Sequence, residues 1–101
     1  MEETKLENLL GIAQKAGKIS SGTFAVNQAI NKNKAKMLLI AGDAFEKTKN
    51  EWQRVADSKK IPIETILNKE KLGKVIGKEY RVIAAVVDEG FCKAISDIIN
   101  K

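Results

Sequence analysis

Two stretches of this chain combine residue types and spacings that can hold an anion. In Lys18-Ile19-Ser20-Ser21-Gly22-Thr23 a short extended run passes through a glycine into a helix. Such a turn presents the first backbone N–H groups of the helix, which lack helical partners and lie at the positive end of its dipole. Gly22 lets a bulky anionic group approach the backbone closely. An ordinary N-cap at Ser21 explains the same residues equally well. In Leu72-Gly73-Lys74-Val75-Ile76-Gly77-Lys78-Glu79-Tyr80-Arg81, the apolar residues Leu72, Val75 and Ile76 give a short helix one face, and Gly77 ends it. Lys78, Tyr80 and Arg81 then project from a turn. Cations beside an aromatic ring suit unpaired RNA, with charge on phosphate and the ring stacked on a base. A solvated turn with Tyr80 lying over the core is the competing explanation.

Other chemistries are poorly supplied. The chain has no histidine and one cysteine, Cys92, which excludes a Cys/His zinc site, a His-based triad and a disulfide framework. Cys92 has no histidine to activate it and neighbours Ile95 and Ile99 at helical spacing, so it reads as a small hydrophobe. Gly11 to Lys18 superficially has the form of a phosphate loop. It has the wrong glycine spacing, and Ile19 stands where a magnesium-binding hydroxyl belongs. The acids are scattered, with no pair placed by local spacing for acid and base work. Trp52 shares a helical face with Val55 and Ala56 and reads as core. No cofactor, metal or small-molecule substrate is expected, and the chain is not expected to be an enzyme.

Charge points the same way. Lysine and arginine number 18 against 13 acids, and only Arg54 and Arg81 are arginines. Lysine is a compact point charge suited to phosphate attraction, whereas arginine's planar fork reads base edges. The excess is uneven: Lys32, Lys34 and Lys36 cluster without an acid, and residues 64–81 carry five cations against three acids. A solvated face explains such a surface as readily as attraction to an anionic polymer does. The acidic start, Met1-Glu2-Glu3-Thr4, is unlike a secretory signal, and no apolar run approaches the roughly 20 residues of a membrane helix. The expected location is the cytoplasm.

The 101 residues, 44% apolar, suffice for a single domain over 1–101 with one core. Thr4 and Glu7 have capping-box spacing before the stripe Leu6, Leu9, Leu10 and Ala13, and Gly17 is a left-handed stop. A short strand over 18–20 precedes a helix carrying Val26, Ala29 and Ile30, which frays at 31–33. Met37 to Ala41 and Val82 to Val87 are unbroken apolar runs, the pattern of strands covered on both faces. Between them lie a helix over 46–59, a strand over 61–66 with an edge-favouring Pro62, and a short helix capped by Asn68. Asp88 caps the last helix, whose stripe is Phe91, Ala94, Ile95, Ile98 and Ile99. Two central strands need helices on both sides, which predicts an α/β fold: a three-layer α/β/α sandwich around a four-stranded mixed sheet. Loops at one end of such a sheet cluster, so the two candidate stretches are expected to form one surface.

In this order and spacing, LLGIAQKAGKISSG, AINKNKAKMLLIAGDA and KEKLGKVIGKEYRVIAAVVDEGFCKAI resemble the bacterial YlxQ-type ribosomal proteins. These are the short branch of the L-seven-Ae-like superfamily of kink-turn RNA-binding proteins. The similarity runs from about Leu6 to Ile99. It implies the same sandwich, with an RNA surface built from the turn into the second helix and the loop before the last strand. In the family that turn carries glycine, a variable residue, then Asn and Glu. Asn contacts the sheared G·A pairs of the kink, and Glu helps to hold the site. Here Gly22 and Thr23 fit, while Phe24 and Ala25 stand at the Asn and Glu positions, and Ser20, Ser21 and Gln28 replace lysines. Lys18 is retained. Each lost bidentate base contact removes roughly 1–3 kcal/mol of discrimination, whereas phosphate contacts survive.

The resemblance therefore implies a non-catalytic RNA-binding protein, associated with the ribosome or its RNA, that docks a bent or kink-turn-like RNA. Its expected RNA-binding residues are Lys18, Ser21, Gly22, Thr23, Phe24, Leu72, Gly73, Lys74, Lys78 and Tyr80, with structured RNA and ribosomal proteins as partners. The alternative is a protein-interaction module that kept the fold and lost kink-turn specificity, with Phe24 as its anchor.

Overall fold

A computed structural model describes residues 3–100; Met1, Glu2 and Lys101, and with them part of the acidic start, lie outside the described residues. The elements in chain order are α1 (Glu3–Lys15), β1 (Ile19–Ser21), α2 (Thr23–Asn31), β2 (Met37–Ala41), α3 (Glu46–Lys59), β3 (Ile63–Ile66), α4 (Lys69–Val75), β4 (Ile83–Val86) and α5 (Glu89–Ile99). The strands form one mixed sheet in the order β1-β4-β2-β3, antiparallel between β1 and β4 and between β4 and β2, and parallel between β2 and β3.

The alternation of side chains along β2 and β4 divides the core between two helical layers. Met37, Leu39, Ala41, Ala84 and Val86 pack with Leu6 and Leu10 of α1, Leu72 of α4 and Ile95 of α5. Leu38, Ile40, Ile83 and Ala85 point the other way, onto Val26, Ala29 and Ile30 of α2 and Trp52 and Ala56 of α3. Every residue of both central strands is buried, which is why they read as unbroken apolar runs. This is the α/β/α sandwich expected from the pattern. Pro62 precedes the edge strand β3 and contributes only its carbonyl, which accepts from Leu38 N–H at 2.8 Å.

Local signals explain most of the boundaries. Gly17 adopts φ +73, and the N–H groups of Gly17 and Lys18 return to the carbonyls of Gln14 and Ala13. This pair of bonds is the Schellman closure of α1. Gly77, at φ +76, closes α4 in the same way, with Lys78 N–H reaching Gly73 C=O at 2.8 Å. Asn68 accepts from Lys71 N–H and Asp88 from Phe91 N–H, so both expected caps form.

Two expectations need correction. Thr4 lies inside α1, which already includes Glu3, so it does not cap that helix. Ser21 is not the N-cap of α2: it ends β1, paired with Ala84, and the cap position falls on Gly22 without any side-chain cap. The sheet register decides this, because β1 runs one residue further than its sequence suggests. Among the described residues, no helix is long and apolar enough to cross a membrane.

Candidate nucleic-acid interface

The strand directions bring four chain crossings to one rim of the sheet. β1, β2 and β3 end there and β4 begins there. Gly22 N–H donates to Ile83 C=O at 3.0 Å, Ala41 N–H to Val82 C=O at 2.9 Å, and Gly42 N–H to Leu67 C=O at 2.8 Å. The turns after β1, β2 and β3 are thereby stitched to one another and to the loop that enters β4.

Gly22 takes φ 87 and ψ 157, a backbone state that side chains rarely adopt, so its role is conformational. A Cβ there would meet only Arg81 Nε, at 3.7 Å. The first helical bond of α2 runs from Val26 N–H to Gly22 C=O, and no side chain caps the helix. The amides of Thr23, Phe24 and Ala25 are therefore left without helical acceptors at the positive end of α2. Leu67 stands at φ 49, which costs on the order of 1 kcal/mol for a residue with a side chain. Its carbonyl bond to Gly42 and the Asn68 cap beside it hold it there.

Side chains connect the crossings. Arg81 Nε donates to Ser21 Oγ at 3.2 Å, and Arg81 Nη1 to Tyr80 C=O at 2.8 Å. Arg81 N–H reaches Lys69 C=O at 3.0 Å, and Lys69 N–H reaches Asp43 Oδ1 at 2.8 Å. The Lys69 ammonium lies 5.8 Å from the centre of the Tyr80 ring, within cation–π range. Three of the chain's five aromatic side chains stand at this rim: Phe24 is 77% exposed, Phe45 81% and Tyr80 57%. Charge around them is close to balanced, with Lys69, Lys78 and Arg81 among Asp43, Glu46 and Glu79.

The candidate residues divide accordingly. Ser21, Gly22, Thr23, Phe24 and Tyr80 come together at this rim, and Lys78 lies exposed in the same α4–β4 loop as Tyr80. Lys74 is exposed on α4. Leu72 is completely buried in the core, and Gly73 is buried beneath the backbone of Glu79 and Tyr80, so neither offers a side chain to a ligand. Lys18 does not join the group: its carbonyl accepts from Val87 N–H, at the opposite end of β1 and β4. Lys32, Lys34 and Lys36 lie between the end of α2 and the start of β2, also away from this rim. Tyr80 does not lie over the core. Phe45, Lys69 and Asp43 were absent from the expected site. Phe45 is legible from its place in the short connection after the buried run Met37–Ala41, where loops of such a fold converge.

Cys92 matches its expected role. It is half-buried behind β4, and burial, helped by Asp88 and Glu89 and opposed by Lys36, pushes its thiol up to about 11. It is a protonated thiol at neutral pH.

Residues 4–96 match the family described as ribosomal protein L7Ae/L30e/S12e/Gadd45. The chain belongs to that family. Within the L7Ae/L30e/S12e/Gadd45 family it is 34% identical over 92 residues to a Bacillus subtilis protein named RNA-binding protein YlxQ, covering 91% of this chain and 92% of that one. It is 32% identical over 96 residues to an Enterococcus faecium protein of the same name, covering 95% and 92%. The fold superimposes on a Bacillus halodurans protein described as having unknown function, with a TM-score of 0.89 and 30% identity over 96% of this chain and 98% of that one. A Giardia lamblia 15.5kD RNA binding protein shares the fold alone, with a TM-score of 0.76 at 22% identity over 99% of this chain and 88% of that one. Membership of the L7Ae/L30e/S12e/Gadd45 family also supports the reading of a non-catalytic protein.

Proposed function

We propose that this protein binds structured RNA at the rim formed by Gly22, Phe24, Phe45, Lys69 and Tyr80, as a non-catalytic component of ribosomal RNA assemblies in the cytoplasm. The observation that carries this reading is the convergence of three exposed aromatic rings on one rim beside the uncapped amides of α2. Amides at a helix start receive phosphate oxygens, and exposed rings stack on unpaired bases. A bent or kink-turn-like RNA offers both, because its bend unstacks bases beside closely spaced phosphates. The relatives named as RNA-binding proteins support the same class of ligand. With Phe24 and Ala25 at the positions where the resemblance expects Asn and Glu, stacking replaces reading of paired base edges as the source of selectivity.

The test is a gel-shift comparison of a kink-turn hairpin with the same hairpin straightened by full pairing, repeated with Tyr80→Ala and Lys78→Ala. Preference for the kinked hairpin, reduced in both variants, is the expected result. Equal binding to both hairpins with unaltered variants would reject the proposal.

A second reading has one observation in its favour. A groove of about 350 Å³ lies between α2 and α3, lined by Thr23, Asn27, Thr48, Glu51, Trp52 and Val55, and the exposed Phe24 and Phe45 stand at the starts of these two helices. Exposed rings at the starts of two helices with a groove between them are the form of a protein-partner anchor. Phe24→Asn weakens a protein partner and spares RNA on that reading.

A further inference from the structure

The far end of the sheet has the opposite character to the aromatic rim. Lys18 and Lys36 each stand one residue before a strand, β1 and β2, and these strands flank β4. Their backbones bond to the end of β4 from either side: Lys18 C=O accepts from Val87 N–H at 3.0 Å, and Lys36 N–H donates to Val86 C=O at 2.8 Å. Two inter-strand steps separate them, about 10 Å. Lys32 and Lys34 lie in the same connection as Lys36, and Lys59 and Lys60 end α3 beside it. Lys36, Lys59 and Lys60 line a cleft of about 240 Å³, and Lys32 and Lys34 line another of about 280 Å³ on the other side of the loop.

All six of these lysines are exposed, and none takes part in an ion pair among the described residues. The acids at this end are Asp57, which accepts from Gln53, Asp88, which caps α5, and Glu89. Cations at the ends of α2 and α3 offset helix dipoles, which accounts for Lys32, Lys59 and Lys60. The same argument covers Lys18, whose N–H closes α1, but not Lys34, in mid-connection, or Lys36, which precedes β2. Of the large exposed apolar side chains among the described residues, the aromatic Phe24, Phe45 and Tyr80 lie at the opposite rim, and Ile12, in the closing turns of α1 before Lys18, lies near this end. Six cations without an aromatic anchor suit a phosphate backbone and are poorly suited to a protein partner.

We infer that this lysine end is a second RNA-docking surface, one that holds backbone phosphates without reading sequence. It rests on the reading of the protein as an RNA binder but uses different residues from the aromatic rim. The molecule measures 30 × 27 × 26 Å, so one copy holds two RNA segments roughly a duplex width apart. The aromatic rim selects the RNA, and the lysine end contributes the salt-sensitive part of the affinity.

A straight, fully paired RNA duplex of about 16 base pairs isolates this surface, since it has no unpaired base for the rings. Fluorescence anisotropy with labelled duplex is recorded against salt for three proteins. These are the wild type, the variant Lys18→Gln/Lys32→Gln/Lys34→Gln/Lys36→Gln, and the variant Phe24→Ala/Phe45→Ala/Tyr80→Ala. The glutamine variant loses at least about ten-fold in duplex affinity, and its slope of log affinity against log salt flattens by roughly 3 to 4. The alanine variant binds the duplex within about two-fold of wild type, and arginine at the same four lysine positions restores binding. The inference is overturned if the glutamine variant binds like the wild type, if arginine fails to restore binding, or if the wild type binds polyglutamate and not the duplex. Failure of the aromatic-rim reading is separately visible, as an alanine variant with undiminished affinity for the kink-turn hairpin.

Discussion

A Cβ on Gly73 would stand 2.7 Å from the carbonyl oxygen of Glu79 and 2.8 Å from the Cα of Tyr80. The α4–β4 loop thus lies directly on the helix it has just left, and only a residue without a side chain permits that approach. The contact aims Tyr80 outward, toward Lys69. Gly73→Ala must displace the loop backbone, since no flexible side chain is there to yield. A loss of about 1–3 kcal/mol in urea denaturation is expected, together with weakened RNA binding.

Exposed rings contribute to binding without supporting the fold. Phe24→Ala, Phe45→Ala and Tyr80→Ala should each reduce affinity for an RNA with unpaired bases by about 1–3 kcal/mol where the ring stacks on a base. Their thermal midpoints should stay close to wild type, because Phe24 and Phe45 are 77% and 81% exposed in the folded protein. Filter binding beside a thermal melt separates the two effects.

Asp43 ties the end of β2 to the start of α4 by accepting from Lys69 N–H at 2.8 Å. Asp43→Ala leaves that amide without its acceptor and loosens the Lys69–Tyr80 pair, at a cost of about 1 kcal/mol in stability. Asp43→Asn keeps an acceptor oxygen and should recover most of it. Equilibrium denaturation of the two variants checks the ordering.

Cys92 is pushed from its ordinary value near 9 up to about 11, chiefly by burial and then by Asp88 and Glu89. Because the folded state holds the thiol proton more tightly than the unfolded chain, the linked stability is complete below about pH 9. It declines as pH rises from there toward 11. Alkylation by iodoacetamide should be slow at pH 8 and reach half its maximal rate only near pH 11, whereas urea-unfolded protein should reach half its maximal rate near pH 9.

Much of this architecture is legible in the residues because local and global preferences agree. The bounds of α3, the caps Asn68 and Asp88, and the glycine closures at Gly17 and Gly77 are short-range chemistry visible in a few neighbouring letters. The two apolar runs announce central strands for the same reason. Ser21 was less legible, since a serine before a helix suits a cap, and only pairing with Ala84, far along the chain, places it in a strand. Lys18 illustrates the same limit. Four residues before Gly22 it reads as part of one turn, but the intervening strand carries it to the other end of the sheet. Leu72 and Gly73 read as site residues only through their neighbours; in the fold they support the loop from beneath. Phe45 joins the rim through strand order, which no local motif encodes.

The central claim is that RNA sits on the rim where Gly22, Phe45 and Tyr80 converge. Titrating ¹⁵N-labelled protein with a kink-turn hairpin and following amide shifts reads this directly. The amides of Thr23, Phe24 and Ala25, those of Asp43 to Phe45, and those of Tyr80 and Arg81 should move first and furthest. Saturating binding that leaves these amides unmoved, with shifts confined to the groove between α2 and α3 or to the lysine end, would contradict the account.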